Sequence, residues 1–255
     1  MAENPRINLL NKALDVIELL AAESREMGVS EISRRLGLVK SGTFRILATL
    51  RERDFIFQNP VTKNYGLGLK FFFVGSSVQT QLPICVLSRA VLEPLSLEYR
   101  QNVRLAIPYL SSSKSAEQIL VYVSSCSEGL SPPVNPGIIS PCNASASGQC
   151  ILAHMSESEL EGYLRCPLRK LTAKTEDSWD RLIRELELIR DRGYAVCDGT
   201  WENGLMDIAV PLFDSMHYSI GAVSICGESR RMKSYDRSLM VRKLRMASSR
   251  ISGGL

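Results

Sequence analysis

The sequence predicts an α+β protein with an N-terminal winged helix-turn-helix and a larger C-terminal domain built around a central antiparallel sheet. Within the 255 residues, segment 7–53 carries three apolar stretches with helical spacing, separated by short polar turns. Residues 55–67 hold two short β-prone runs around turn residues, which predicts a hairpin directly after the helices. Beyond residue 84, strand-like and helical segments alternate and the last strands follow one another, which is typical of an α+β domain.

The first helix is expected over residues 7–22, because apolar side chains recur there every three or four positions and should form one buried face. A second helix over residues 30–36 should end at Gly37, since glycine readily adopts the left-handed conformation that ends helices. A third helix is expected over residues 41–53. The predicted buried residues of the first helix are Leu10, Leu14, Ile17 and Leu20 with Ala21. In the third helix, one face holds Ile46, Leu47 and Leu50, and the other holds Ser41, Phe44, Arg45 and Ala48.

The hairpin is predicted from strands at 55–57 and 65–67, separated by turn residues around Asn59 and Lys63. A hairpin in this position is a wing, so residues 1–68 are expected to form one winged helix-turn-helix domain. Residues 69–83 are expected to form a linker helix that ends near Pro83, and residues 84–255 to form the second domain. Strands of the second domain are predicted at 103–110, 119–124, 194–196, 207–212 and 219–226. Its helices are predicted at 84–99, 146–155, 156–164, 178–192 and 234–251.

The composition is that of a globular protein with a mild positive charge of +4. The seven cysteines are scattered and form no C-x-x-C pair, and the sequence has two histidines. This pattern predicts reduced, mostly buried thiols and no metal site or cofactor. The N-terminus lacks the charged and apolar regions of a signal peptide, and no apolar stretch is long enough for a membrane span. We therefore expect a soluble cytoplasmic protein without a membrane partner.

Basic residues are concentrated in the second and third helices, where Glu52 is the one acidic residue between positions 34 and 53. Neutralisation of phosphates supplies much of the affinity of proteins for duplex DNA, so this stretch predicts a DNA-binding surface. Arg45 lies in the first half of the third helix, from which side chains reach base edges in the major groove. Lys63 at the wing tip is expected to contact a neighbouring phosphate or the minor groove. The predicted DNA-binding residues are Arg34, Arg35, Lys40, Ser41, Gly42, Thr43, Phe44, Arg45 and Lys63.

The segment from Val29 to Ile56, followed by YGLGLK, resembles the DNA-binding domain of the IclR family of bacterial transcriptional regulators. The family pattern is close to L-x-K-S-T-V-x-R-L-L-x-T-L-x-x-x-G-F/Y, and it is matched here by Lys40, Ser41, Arg45, Leu47, Thr49, Leu50 and Phe55. Gly42 and Asp54 depart from the pattern, which has a threonine and a glycine there. Three later stretches, ISPCNASASGQCILAHM, RDRGYAVCDGTWENGLMDIAVPLFD and AVSICGE, are similar to the family in order and spacing.

The resemblance implies a GAF-like effector-binding domain at the C-terminus, dimers formed through the DNA-binding half, and tetramers formed through the effector half. It also implies a ligand pocket with residues from the later strands, which are Cys197, Asp207, Ser224 and Cys226 in this chain. Cys197 stands where the family commonly has an acid, and Asp207 stands where an uncharged residue is usual. Either the acid has moved across the pocket to Asp207, or Asp198 substitutes for it. Ser224 and Cys226 are equally consistent with plain sheet packing, whereas Asp207 inside a strand needs a partner. Trp201 and Met206 lie close in sequence, but such residues are more often packing residues.

Ala146, Ser147 and Gly148 enter a predicted helix, so their backbone N–H groups and the helix dipole should favour an anion. This predicts a small-molecule effector with a carboxylate as the candidate anionic group. ASASG lacks the first glycine of G-x-S-x-G, and phosphate-loop and dinucleotide motifs are absent, so no catalytic residues are predicted.

The sequence thus predicts a sequence-specific transcriptional regulator, a repressor, that binds double-stranded operator DNA as a homodimer or tetramer and responds to a small organic acid or aromatic metabolite. Two alternatives stay open. One is a DNA-binding oligomer whose C-terminal domain senses nothing, and the other is an enzyme with a vestigial winged helix.

Overall fold

The computed structural model describes residues 7–109, 115–125 and 134–255. The chain divides into two compact units between Gln81 and Leu82. Leu110, the predicted end of one strand, and Cys126 lie outside the described residues.

The N-terminal unit consists of three helices, a two-stranded hairpin and a fourth helix. Both strands of the hairpin pair antiparallel, with Ile56 opposite Leu67 and Gln58 opposite Tyr65. The predicted order of three helices followed by a wing is therefore confirmed. The elements are α1 (Asn8–Glu23), α2 (Val29–Leu36), α3 (Lys40–Glu52), β1 (Ile56–Gln58), β2 (Tyr65–Leu67) and α4 (Lys70–Gln81).

The predicted buried face of α1 is partly wrong. Leu10 and Leu14 are 55% and 47% exposed, whereas Val16 and Leu20 are buried. Val16 and Leu20 are four residues apart and so lie on the same side of the helix, facing the small core of this unit. The first two turns of α1 extend past that core, which leaves their leucines on the surface. The core residues are Val16, Leu20, Met27, Ile32, Ile46, Leu47, Ile56 and Tyr65.

Helices α2 and α3 end in the same way. Gly37 follows α2 with φ +63°, and the amide of Leu38 donates to the carbonyl of Ser33 at 2.8 Å. Asp54 follows α3 with φ +62°, and the amide of Phe55 donates to the carbonyl of Leu50 at 2.9 Å. Each end is a Schellman motif, in which the left-handed position favours glycine. Gly37 confirms the predicted stop, and the glycine usual in the family at position 54 would fit the same geometry.

The C-terminal unit contains one six-stranded sheet with helices on both sides. The elements are α5 (Pro83–Tyr99), β3 (Asn102–Tyr109), β4 (Glu117–Ser124), β5 (Ile139–Pro141), α6 (Ala146–Ala153), α7 (Glu157–Tyr163), α8 (Trp179–Arg192), β6 (Ala195–Asp198), β7 (Leu205–Phe213), β8 (Ser219–Glu228), α9 (Ser229–Met232) and α10 (Arg237–Ser252). The strand order is β5-β4-β3-β8-β7-β6, and every neighbouring pair is antiparallel. This confirms the predicted α+β architecture, although β5 and α9 were missed because each is only three or four residues long.

Alternate residues of the strands point to opposite faces of the sheet, and the two faces differ in chemistry. One face is apolar and packs against α5 and α10 through residues such as Leu105, Ile208 and Ile225. The opposite face packs against α6 and α8 and uses small residues such as Ala106, Ala209 and Ala222. The small residues on this second face leave room for polar side chains between sheet and helices.

No single helix among the described residues has the length and hydropathy needed to cross a membrane. By length and composition alone, α4 and α5 meet that requirement only when they are taken together as a broken pair.

We expect Asp54→Gly to stabilise the N-terminal unit by up to about 1 kcal/mol, because glycine adopts positive φ without the steric cost borne by aspartate. The measurement is the thermal unfolding transition of that unit in the full chain. Asp54→Ala is the matched control, since alanine removes the carboxylate but keeps the Cβ that makes the conformation costly. Equal stability changes for glycine and alanine would show that the backbone conformation is not the cause.

Candidate functional site

Helix α3 presents a polar and basic face. Lys40, Ser41, Phe44 and Arg45 are exposed on it. Thr43 is fully buried, and its hydroxyl donates to the carbonyl of Val39 at 3.3 Å. Thr43 therefore packs inside the unit, and this corrects its prediction as a DNA-contacting residue.

The predicted cations differ in whether they already have acidic partners. Arg35 forms an ion pair with Glu23 of α1, which satisfies part of its guanidinium. Arg34, Lys40 and Arg45 are exposed and form no ion pair with any residue that the structure describes. Three unpaired cations on α2 and α3 make this face the strongest candidate in the unit for binding a polyanion.

Gly42 lies in the first turn of α3, in open space. A Cβ built at this position would meet no described atom within 4 Å. The threonine that is usual in the family would therefore fit sterically, and the glycine alters the surface without being required by packing.

The wing is fixed by hydrogen bonds to the loop between α1 and α2. The amide nitrogen of Asn59 donates to Glu26 Oε2 at 2.9 Å, and the Thr62 hydroxyl donates to the same oxygen at 3.2 Å. Asn59 Oδ1 in turn accepts the backbone amide of Val61 at 2.9 Å. Lys63 follows at the exposed tip with φ +59°. The predicted wing residue is thus exposed at the end of an anchored hairpin.

The C-terminal unit contains a cavity of about 170 Å³ on the face of the sheet that packs against α6. Side chains from the sheet, the α6 entrance and the loop after β6 surround it. The lining residues are Arg104, Gln118, Leu120, Val134, Ile138, Ser140, Ala144, Ser145, Cys197, Thr200, Trp201, Glu202, Leu205, Met206, Asp207 and Cys226.

Three of the predicted effector residues line this cavity: Cys197, Asp207 and Cys226. They are neighbours across three strands, because Asp207 on β7 is paired with Cys197 on β6 and with Cys226 on β8. Of the two acids near position 197, Asp207 lines the cavity, whereas Asp198 accepts a hydrogen bond from the Ser229 hydroxyl and pairs with Lys233. Trp201 and Met206 also line the cavity, so both residues form part of its wall.

The other predicted effector residues lie behind the wall. Ala146, Ser147, Gly148 and Ser224 are buried and do not line the cavity. Gly148 is required for packing, since a Cβ there would lie 2.4 Å from the carbonyl oxygen of Cys142. The side chains of these four positions therefore do not line the cavity, and the anion contact expected from the backbone N–H groups of Ala146, Ser147 and Gly148 stays a prediction.

Two buried charges face each other in the cavity wall. Arg104 Nη2 lies 3.9 Å from Asp207 Oδ1, and the two side chains are only 12% and 9% exposed. Burial raises the pKa of Asp207 above its ordinary value, although Arg104 and the backbone amides of Ser147 and Ala146 favour the charged form. Burial also lowers the pKa of Arg104, and Asp207 offsets this only in part. Both charges thus lose hydration that the long ion pair does not fully replace.

Several polar atoms of this wall have no hydrogen-bond partner among the residues that the structure describes: Arg104 Nε, Asp207 Oδ1 and Gln118 Oε1. The amide nitrogen of Gln118 is satisfied, since it donates to Ser145 Oγ at 2.7 Å and to Ser140 Oγ at 3.1 Å. Unpartnered buried polar atoms are costly and rare, and a cluster of them beside a cavity indicates a place for a polar ligand.

The loop after β6 contributes Thr200, Trp201 and Glu202 to the cavity lining and is held by threonines. The Thr200 hydroxyl donates to the carbonyl of Ala144 at 2.6 Å, and the Thr172 hydroxyl donates to that of Gly199 at 2.7 Å. Two hydroxyl groups therefore anchor this loop to the segments before α6 and α8.

Sequence reasoning missed Arg104 and Gln118. A signal for Arg104 was present, because it is the one charged residue inside the apolar strand β3. Gln118 gave no such signal, since it lies at the start of β4 beside an acidic and polar stretch. No group of three or more histidine, cysteine, aspartate or glutamate residues in the described ranges is arranged to hold a metal ion.

Two family models match the chain. The IclR helix-turn-helix domain matches residues 9–60, and the C-terminal domain of the bacterial transcriptional regulator IclR matches residues 76–253, which is more than half of the chain. The chain is 27% identical over 252 residues to the HTH-type transcriptional regulator KdgR of Dickeya chrysanthemi, covering 95% of this chain and 79% of that protein. It is 26% identical over 230 residues to the transcriptional repressor IclR of Escherichia coli K12, covering 89% and 82%.

Similar solved structures share the fold. One is an IclR transcriptional regulator from Alicyclobacillus acidocaldarius, with a TM-score of 0.85, 23% identity, and coverage of 98% of this chain and 99% of that one. Another is an IclR homolog from Microbacterium hydrocarbonoxydans complexed with 4-hydroxybenzoate, with a TM-score of 0.82, 22% identity, and coverage of 97% and 99%.

We expect the buried cysteines to resist alkylation in the native protein. Burial raises the pKa of Cys197 to about 12 and raises that of Cys142 and Cys150 still further, so almost no thiolate is present at pH 8. The measurement is iodoacetamide labelling at pH 8 followed by peptide mass spectrometry. Labelling in denaturant is the control, in which all three should react. Rapid native labelling of Cys197 would show that the cavity is open enough to ionise its thiol.

Proposed function

The chain belongs to the IclR family of bacterial DNA-binding transcriptional regulators, and we propose that it represses transcription by binding operator DNA under the control of a small organic acid. Residues 1–68 form the DNA-binding domain in this proposal, residues 69–83 the linker helix, and residues 84–255 the effector-binding and oligomerisation domain. The relatives are regulators and repressors, a non-enzymatic role. Because its partner is bacterial operator DNA, we assign its action to the cytoplasm.

The observation that carries DNA binding is the set of unpaired cations on α2 and α3. Arg45, exposed in the first half of α3, is proposed to read base edges in the major groove, and Lys40 and Arg34 to bind phosphates. Ser41, Gly42 and Phe44 share the outer part of α3 and complete the contact surface, with Phe44 suited to a thymine methyl group. Arg35 contributes less, since Glu23 already pairs with it. Lys63 supplies a wing contact.

Homodimerisation is proposed through the N-terminal unit. Large apolar side chains are exposed on α1 and around α4, which is unusual for a surface that stays in water. A symmetric dimer would cover them and would place two copies of α3 in successive major grooves of a pseudo-palindromic operator. A tetramer would follow from a second contact through the C-terminal units. The exposed residues are Ile7, Leu9, Leu10, Leu14, Leu69, Phe72, Phe73 and Val78.

The cavity lined by Cys197, Asp207 and Cys226 is proposed as the effector site. The support is its volume of about 170 Å³, its unpartnered polar atoms, and the 4-hydroxybenzoate complexed with the similar protein from Microbacterium hydrocarbonoxydans. An effector that binds one conformation of the regulator better than the other shifts operator affinity by that difference in binding free energy. This coupling distinguishes a sensor from a DNA-binding oligomer with an inert C-terminal domain.

Arg45→Ala should weaken operator binding by about 1–3 kcal/mol for each base that the arginine reads. Lys40→Ala should weaken binding to all sequences. It should also lower the slope of the logarithm of the binding constant against the logarithm of the salt concentration by about 1 for each phosphate that the lysine binds. The duplexes are those enriched by the wild-type protein from a random library, and affinity is measured by fluorescence anisotropy at several salt concentrations. Arg89→Ala is the control, because it removes the same charge from an exposed position on α5. Wild-type affinity for both test variants would contradict the proposed surface.

Phe72→Glu should reduce the molar mass of the particle in solution by half, because Phe72 is 77% exposed in the chain and a charge there opposes burial between copies. Size-exclusion chromatography with light scattering measures the mass. Val61→Glu, at an exposed apolar residue of the wing, should leave the mass unchanged. An unchanged mass for Phe72→Glu would place the dimer contact elsewhere.

A further inference from the structure

The segment that forms α9 and α10 holds an excess of positive charge that the proposed DNA contact does not use. Residues 229–252 contain eight arginines and lysines and one acid, so the segment carries a formal charge of +7, more than the +4 of the whole chain. The one acid, Asp236, is the N-cap of α10, and its carboxylate accepts the backbone amide of Leu239 at 3.1 Å. The cations are Arg230, Arg231, Lys233, Arg237, Arg242, Lys243, Arg245 and Arg250.

The cations of this segment differ in whether acids neutralise them. Lys233 pairs with Asp198 at 2.6 Å, and the lysine in the middle of α10 pairs with an acid of α5. In contrast, Arg237, Arg242 and Arg245 are exposed and form no ion pair with any acid in the described part of the chain. Three guanidinium groups on one helix therefore lack a counter-charge from the protein.

These three arginines line the same groove. It has a volume of about 420 Å³ and lies between α10 and the chain that enters β6, which is the edge strand of the sheet. Tyr194 and Val241 also line the groove, and both contact the apolar core of the C-terminal unit. The groove thus combines an apolar surface with unpaired positive charge.

The wall of the groove on the side of β6 is held by hydrogen bonds. Arg192 donates through Nη2 to Glu185 Oε1 and through Nε to the carbonyl of Tyr194, both at 2.7 Å. Arg245 Nη2 donates to the carbonyl of Arg192 at 2.5 Å, and a Cβ at Gly193 would lie 2.9 Å from the same nitrogen. A site with an ordered wall loses less conformational entropy when a ligand binds.

The chemistry of the groove favours phosphate groups. A guanidinium binds phosphate through two parallel N–H donors, and each phosphate group brings up to two negative charges and three acceptor oxygens. Arg237 and Arg245 are eight residues apart, which is about 12 Å along a helix axis. One phosphate group cannot contact both, so a ligand that neutralises the groove needs phosphates at more than one point. The volume falls within the range of about 300–1,000 Å³ that is typical of small-molecule sites.

We propose that the groove between α10 and β6 is a second ligand site, which binds a small molecule with a chain of two or more phosphate groups through Arg237, Arg242 and Arg245. Its lining residues are separate from those of the cavity that holds Asp207. The ligand supplies the missing counter-charge and removes the repulsion between neighbouring guanidinium groups, so it also stabilises the folded chain. Inorganic polyphosphate and a nucleoside polyphosphate share this chemistry.

The first experiment is calorimetric titration of the full chain with orthophosphate, pyrophosphate, tripolyphosphate and adenosine triphosphate at one ionic strength without divalent cations. Tripolyphosphate should bind at least about tenfold more tightly than orthophosphate, because it reaches more than one arginine. The thermal unfolding temperature should rise in the same order. Tighter binding of adenosine triphosphate than of tripolyphosphate would identify a nucleotide as the ligand, and equal binding would identify the phosphate chain alone.

Variants connect binding to the groove. Arg237→Gln/Arg242→Gln should weaken tripolyphosphate binding at least about tenfold, since it removes two charged donors that no protein group uses. Arg230→Gln/Arg250→Gln is the matched control, because it removes the same charge from exposed positions outside the groove and should change affinity by less than about twofold. Arg45→Ala, in the N-terminal unit, should also leave it unchanged within about twofold. Thermal unfolding without probe shows that each variant is folded.

Several results would overturn the proposal. Equal losses in the two double variants would mean attraction to diffuse positive charge, and a loss confined to Arg45→Ala would place the phosphates on α3. A lower molar mass of Arg237→Gln/Arg242→Gln in light scattering would make the groove a contact between copies. Weaker binding of duplex DNA by that variant, with tripolyphosphate binding unchanged, would make it a nucleic-acid contact. The proposal also fails if no phosphate probe binds to the wild type at low ionic strength.

Discussion

The arrangement of the C-terminal unit depends on one constraint, which is that a six-stranded sheet must be covered on both faces while one of them also carries charge. Bulky aliphatic residues fill the side facing α5 and α10, and alanines on the other side let α6 pack close to the sheet. Gly148 lets the first turn of α6 pack against the backbone at Cys142, which any larger residue would strike. Burial raises the pKa of Asp207 on this side of the sheet, and Arg104, 3.9 Å away, compensates for the lost hydration only in part.

This division explains how a shared architecture accommodates a changed site. In this chain the acid of the cavity wall is on β7, at the position paired with Cys197 of β6, and Arg104 of β3 is the cation that faces it. An ion pair that is both buried and too long for a hydrogen bond contributes little to stability, which is consistent with a role in binding.

Much of the fold could be predicted from local patterns. Helical periodicity, the glycine at position 37 and the turn residues around Asn59 each act within a few residues, so three helices and a wing follow from the sequence alone. The exposed leucines of α1 could not be identified, because which side of an apolar helix meets the core depends on distant packing. The pairing of Arg104 with Asp207 was missed for the same reason, because it depends on strands far apart in sequence lying in one sheet.

Glu26 connects the wing to the loop that precedes α2 through Asn59 and Thr62. The hairpin is thereby ordered before any nucleic acid arrives, so no conformational entropy has to be lost there when a complex forms. The distance between α3 and the wing tip is then a property of the protein, set by this carboxylate together with the backbone pairing of Met27 and Tyr65. A duplex whose grooves do not match that fixed span has to bend or twist to reach both contacts, and its own stiffness becomes part of what is recognised.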